Sequence, residues 1–141
     1  SPSAVLALKA TVHTNSRSIA ADDFFTGMFE TALEEDEIIE SISFSKPTKA
    51  NYVKFPNPAS RYAMVGVFVA QFGDGVRVAV TGAGEGGVFR HEEMETALSG
   101  NYSPDALSSL DIASDGLISD LHASAEYRAN LIKEMTKRAV V

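Results

Sequence analysis

Tyr62-Ala63-Met64-Val65-Gly66-Val67-Phe68-Val69-Ala70-Gln71-Phe72, then Gly73-Asp74-Gly75, then Val76-Arg77-Val78-Ala79-Val80 reads as two long strands joined by a tight turn. Side chains alternate across a strand, so Val65, Val67 and Val69 share one face while Met64, Phe68 and Phe72 share the other. A strand that is apolar on both faces belongs in the middle of a sheet with cover above and below. Gly73-Asp74-Gly75 has the conformational freedom of a hairpin turn, and the return strand places Val76, Val78 and Val80 together. Beyond it the texture becomes helical. His91 to Leu98 precedes Gly100 as a stop, and Ser103-Pro104-Asp105 sets a capping hydroxyl before a first-turn proline. Ser124 caps the last helix, Glu126 sits in its first turn and Lys133, Lys137 and Arg138 lie toward its end, all favourable to the helix dipole. Tyr127, Leu131, Met135 and Ala139 make its apolar stripe. The expected fold is therefore α+β: an antiparallel sheet of three to four strands packed against about three helices on one face.

Upstream of the hairpin, Lys46-Pro47-Thr48-Lys49-Ala50-Asn51 is polar and holds a proline, and it is the natural boundary. It separates residues 1–46 from 50–141. In the first part, Ile38 to Phe44 alternates as a strand ending at Pro47, and Asn15-Ser16-Arg17 turns between two short strands, the second from Arg17 to Ala20. Asp22 is placed to cap a single helical turn through Phe25 that Gly27 closes. The acidic run Glu34-Glu35-Asp36-Glu37 reads as a solvated face. These elements are too few to close a domain. Residues 1–46 are expected to form a partial sheet with Phe24, Phe25 and Phe29 less buried than their size warrants.

The chain has 141 residues, 45% hydrophobic and 22% charged, the balance of a soluble globular protein. It has no cysteine, which excludes disulfides, thiolate metal ligands, iron–sulfur ligation within this chain and thiol nucleophiles. Twelve Lys and Arg against nineteen Asp and Glu leave a net charge of -7, a field that repels phosphate backbones and makes nucleic acid a poor partner. No apolar run is long enough for a transmembrane segment, and Ser1-Pro2-Ser3 lacks the basic start of a secretory signal, so the expected compartment is cytoplasmic.

Gly82, Gly84 and Gly87 match the GxGxxG spacing of nucleotide loops, but Val88-Phe89-Arg90 follows instead of a helix and the preceding strand belongs to a hairpin. A turned loop is the stronger reading. His13, His91 and His122 have no spacing that implies a shared metal, no GxSxG elbow supports acyl transfer, and Glu92-Glu93 reads as solvated. No catalytic or metal-ligating set emerges. Lys54 is different: in Asn51-Tyr52-Val53-Lys54-Phe55 it shares a side with Tyr52 while Val53 and Phe55 take the other. It is either a lysine reaching into a cleft between two domains or a solvent-facing lysine on an edge strand.

Ile19-Ala20-Ala21-Asp22-Asp23-Phe24-Phe25-Thr26-Gly27-Met28-Phe29-Glu30-Thr31-Ala32-Leu33, followed by Asp36-Glu37-Ile38-Ile39, resembles the end of the flavin-binding domain in the medium, FAD-carrying subunit of carbon monoxide dehydrogenase. Ser124-Ala125-Glu126-Tyr127-Arg128 resembles the opening of the last helix in the C-terminal domain of that subunit, so the likeness to the molybdenum hydroxylase flavoproteins runs over nearly the whole chain. The resemblance implies the tail of a flavin-binding domain in 1–46 and the flavoprotein C-terminal domain in 50–141. It implies two FAD-contacting positions, the branched residue Ile39 and the flavin-adjacent lysine Lys54. It further implies a small iron–sulfur subunit and a large molybdenum-carrying subunit as partners, with electrons passing through FAD to an external acceptor. The glycine-rich pyrophosphate loops of such subunits lie upstream of the matched region, so the chain is expected to be inactive and free of FAD by itself. A subunit-docking module without a cofactor role is the alternative, and a stand-alone nucleotide binder using Gly82 to Gly87 is the third reading. The substrate is left open, because aldehyde, xanthine and other aromatic hydroxylases share this layout.

Overall fold

In the computed structural model, which describes residues 1–141, the quoted hairpin forms as β7 (Ala63–Phe72) and β8 (Gly75–Thr81). They pair from Gly66 opposite Thr81 to Phe72 opposite Gly75, leaving Gly73 and Asp74 as the turn. β6 (Lys49–Pro56) pairs antiparallel on the other side of β7, and the short β9 (Phe89–Arg90) completes the four-stranded order β6-β7-β8-β9. The central position of β7 is the consequence of its two apolar faces.

On one face Val65, Val67, Val69, Val78 and Val80 are fully buried. Against them lie Met94 and Leu98 of α3 (Glu92–Gly100), Leu107 of a single 3-10 turn (Pro104–Leu107), and Leu131, Ile132 and Met135 of α4 (Ala125–Ala139). Burial of each such side chain contributes about 1.5–3 kcal/mol, so this layer is the main source of stability. The expected α+β architecture is present, and it has an extra cover. The N-terminal helix α1 (Pro2–Ala7) packs on the opposite face, where Leu6 and Ala7 meet Ala70 and Ala79. Small residues at those two positions let the helix approach the sheet backbone closely.

Between α1 and the large sheet's first strand, β1 (Thr11–Thr14), β2 (Ser18–Ala20) and β5 (Ile39–Ser43) form an antiparallel sheet in the order β2-β1-β5. A one-turn helix α2 (Ala21–Phe24) and a two-stranded hairpin, β3 (Phe25–Gly27) with β4 (Glu30–Thr31), lie between β2 and β5. The three phenylalanines divide. Phe24 is buried with Val12 and Ile19, contrary to expectation, because it falls on the inner side of α2 and Ala32 and Leu33 cover it. Phe25 is half-buried, edge-on to Phe24 with ring centroids 5.1 Å apart. Phe29 is 100% exposed at the hairpin tip with φ of 57°.

Several caps differ from the reading of the sequence. Asp22 does not cap α2, whose N-cap residue is Ala20. Its carboxylate instead accepts hydrogen bonds from Arg77 at 2.7 Å and Arg90 at 3.2 Å, because a guanidinium is a stronger donor than an exposed amide. Ser103 makes no side-chain cap, and the turn after it stays a single 3-10 turn. Gly100 lies inside α3, with Asn101 as its cap. His91 takes the N-terminal role, its Nδ1 accepting the Met94 N–H at 3.3 Å. Ser124 caps α4 as expected, through the Tyr127 N–H at 3.1 Å. Tyr127, at the head of the stripe, is 44% exposed and touches Phe55 edge-on with its ring. No helix is long and apolar enough to cross a membrane.

Candidate functional site

Register places Tyr52 opposite Phe68 and Lys54 opposite Gly66. The period of two holds along β6: Val53 and Phe55 pack toward the helical layer, which sends Tyr52 and Lys54 to the face that carries α1. α1 covers only the end of that face around Ala70 and Ala79. At the other end an open hollow of about 630 Å³ is bordered by Ser1, by Tyr52, Lys54 and Phe68 from the sheet and by Ser60, Arg61 and Tyr62 from the β6–β7 connection, with Lys54 exposed on the edge strand β6. Tyr52 and Phe68 lie against each other with centroids 6.2 Å apart. Gly66 makes room for this: a Cβ there would stand 2.5 Å from the Tyr52 hydroxyl and 2.7 Å from Thr81 Oγ1. Five of the twelve basic side chains make neither a hydrogen bond nor a salt bridge, and Lys54 and Arg61 are two of them. An aromatic floor beside an unpaired ammonium can take a flat ring that carries negative charge.

Ile39 opens β5 opposite Thr14 and is 39% exposed. It stands on the three-stranded sheet and does not line the hollow that holds Lys54. The two residues implied by the resemblance thus occupy edge strands of two different sheets.

The glycine run connects the antiparallel neighbours β8 and β9 and opens into no helix. Its composition has a backbone cause. Gly82 has φ of 83°, and a Cβ there would lie 2.7 Å from the Ala63 carbonyl oxygen and 2.9 Å from that of Met64. Gly87, with φ of 95°, packs on the backbone of Gly27. The amides of Glu85 and Gly87 already donate to the carbonyls of Gly116 and Gly84, so they do not converge on an anion.

The histidines occupy separate places. His13 is flanked by Ser18 and Ser43 at 2.8 Å each, His91 caps α3 beside Phe89, and His122 is exposed. Burial pushes the His91 imidazole below its ordinary value of 6.5, consistent with Nδ1 acting as an acceptor in the neutral ring. No group of His, Asp and Glu is placed to hold a metal ion. Among the acids, Glu37 departs from the expected solvated run. Arg17 clasps it at 2.8 and 2.7 Å, Thr14 donates at 2.7 Å, and its side chain is 4% exposed. The guanidinium of Arg17, then the Glu34 amide and Thr14, hold its carboxyl far below the ordinary range. Glu95, which the sequence did not single out, is buried between Arg90 and the Val78 amide.

This arrangement of three antiparallel sheets with a helical layer is the fold of the crystal structure of quinoline 2-oxidoreductase from Pseudomonas putida 86, with a TM-score of 0.77. The match covers 99% of this chain and 53% of that one at 24% sequence identity. The chain is a homologue of medium subunits, as the resemblance implied. It is 36% identical over 155 aligned positions to the nicotine 6-hydroxylase medium subunit of Paenarthrobacter nicotinovorans, covering 99% of this chain and 54% of that protein. It is 27% identical over 138 positions to the carbon monoxide dehydrogenase medium chain of Hydrogenophaga pseudoflava, covering 88% of this chain and 47% of that protein. No family model matches. The chain spans about half the length of the curated relatives it matches.

Proposed function

We propose that the chain is part of the FAD-carrying medium subunit of a multi-subunit molybdenum hydroxylase. Electrons from a molybdenum site in a large subunit would reach it through iron–sulfur clusters of a small subunit and leave for an external acceptor. The observation that carries this reading is Lys54: the lysine that the resemblance marks as flavin-adjacent is unpaired and lines a hollow floored by Tyr52 and Phe68. FAD, when bound, supplies the two-electron redox chemistry. The ammonium of Lys54, carried on the edge strand β6, would provide positive charge where negative charge develops on reduction. Tyr52 and Phe68 would give an aromatic wall beside that charge. The resemblance gives Ile39, at the start of β5, a backbone contact to the flavin, but Ile39 lies on the other sheet and outside the hollow that holds Lys54, so Lys54 alone carries the reading. The division into a flavin-domain tail (1–46) and a C-terminal domain (50–141) belongs to the same reading, with the cytoplasm as its compartment.

A docking role has its own support in the side chains of Phe29, Ile38 and Phe44, which are 100%, 68% and 53% exposed around the small sheet and offer apolar surface to a covering chain. Within a complete subunit the two roles coexist.

In the FAD-loaded subunit, Lys54→Ala is expected to weaken FAD binding, or to lower the flavin potential, by about tenfold in the relevant constant, which is about 30 mV for a two-electron couple. A reduction titration with a fluorescence binding curve measures both. A folded variant with neither changed would remove Lys54 from the site.

A further inference from the structure

A second hollow, of about 370 Å³, lies between the glycine run and the 112–117 segment and shares no residue with the one that holds Lys54. Its two walls are hydrogen-bonded to each other: Glu85 donates its amide to the Gly116 carbonyl and Ile118 to the Ala83 carbonyl, each at 2.8 Å, with Gly84 opposite Leu117 between them. Leu117 and the fully buried Ile132 of α4 are its deepest side chains. The Phe89 ring lies flat space against backbone: a Cβ on Gly84 would stand 2.7 Å from it. Gly86, Gly87 and Gly116 border the rest with peptide planes and no side chain. A mostly apolar hollow of this size with few polar groups has the form of a small-molecule site. One polar ring borders it. The His91 imidazole, 6.5 Å from the Phe89 ring between centroids, accepts the Met94 N–H at Nδ1. A neutral imidazole that accepts at Nδ1 carries its proton on Nε2. Burial keeps this ring neutral, against the pull of Glu93 and Glu95. The Nε2–H has no partner in the protein and is not sealed from solvent. Asp115 is the one charged residue of the lining, so an anion would meet like charge and no cation.

We propose that this hollow binds a small neutral aromatic molecule, whose ring lies between Phe89 and the glycine backbone and whose single acceptor atom takes a hydrogen bond from His91 Nε2. Flat peptide surfaces without side chains match a flat ring, and the lone donor fixes which edge of the ring faces inward. The glycine run then has a use beyond its turns, since a side chain at Gly84 would displace the aromatic wall.

The test uses a medium subunit containing this chain, with isotope-labelled isoleucine and leucine methyl groups, and three probes. Acetophenone has a ring and one acceptor, ethylbenzene the ring alone, and benzoate the ring with a negative charge. Acetophenone is expected to shift the methyl signals of Ile112, Leu117 and Ile132 but not that of Leu6 on the other face of the sheet, saturating with a Kd of about 1 mM. Ethylbenzene should bind about fivefold more weakly for want of the hydrogen bond, and benzoate more weakly than either. His91→Asn separates the donor from the cap: asparagine accepts the Met94 amide as a good N-cap, so the unfolding temperature should hold while the ring donor is lost. This variant is expected to weaken acetophenone about fivefold and leave ethylbenzene unchanged. Acetophenone against ethylbenzene reads the same hydrogen bond in the unchanged protein, so a poorly folded variant does not spare the proposal. No saturable shift at the three methyl groups overturns it. So does equal affinity for acetophenone and ethylbenzene, benzoate binding as tight as acetophenone, or a folded His91→Asn that binds acetophenone unchanged.

Discussion

Glu95→Ala is expected to destabilise the fold by about 3–5 kcal/mol, the range for removing one partner of a buried ion pair. Its side chain is 8% exposed and holds three donors: Arg90 Nε at 2.9 Å, an Arg90 terminal nitrogen at 2.7 Å and the Val78 amide at 3.0 Å. The alanine leaves the Val78 N–H without a partner inside β8 and leaves the Arg90 guanidinium with Asp22 alone, at 3.2 Å and 41% exposed. Glu95→Gln preserves the shape and an acceptor for the amide, so about half the loss should return. Asp22→Asn should cost at most about 1 kcal/mol because water reaches that carboxylate. Urea unfolding of the three variants orders them, and a loss under about 1 kcal/mol for Glu95→Ala would mean that the network is not what ties α3 to the sheet.

Gly82→Ala is the second large effect, at about 2 kcal/mol or more. The residue sits at φ of 83°, where an alanine is strained, and the new methyl group would meet two backbone carbonyl oxygens at 2.7 and 2.9 Å. Those oxygens belong to Ala63 and Met64 at the start of the central strand, so relief requires moving β7 itself. Gly86 is the internal control. It lies four residues along the same run, has nothing within 4 Å of its would-be Cβ and has no left-handed φ, and Gly86→Ala should stay within about 0.5 kcal/mol. Equal effects at the two positions, read by thermal unfolding, would contradict a backbone origin for the glycine run.

These cases show which parts of the molecule a linear reading reaches. Period-two alternation revealed the β7–β8 hairpin and the split of Tyr52 and Lys54 from Val53 and Phe55, because side-chain direction in a strand follows from residue parity alone. The same logic could not reach α1, whose six residues are too few for a helical period to show. Nor could it reach the Asp22–Arg77–Arg90–Glu95 network, whose members come from α2, β8, β9 and α3 and meet only after the sheet forms. Asp22 misled for that reason: its local pattern spelled a helix cap, and a distant guanidinium outcompeted the local amides. Glu37 misled likewise inside an acidic run whose other members are exposed. At the candidate site residue parity placed Lys54 on the face it shares with Tyr52, while the left-handed φ of Arg61 in the β6–β7 connection is announced by no residue preference.

The central proposal is that this chain supplies part of a flavin site whose pyrophosphate contacts are made by other residues of a medium subunit. Binding energy for a dinucleotide comes largely from its phosphates and from enclosure on several sides, and Lys54 with Ile39 offers neither. The most direct measurement is the flavin absorbance of the purified 141-residue chain beside that of the same chain joined at its N-terminus to the rest of a medium subunit. The account predicts a colourless chain and a yellow extended protein with about one FAD each. Stoichiometric flavin in the short chain, or none in the extended protein, would contradict it.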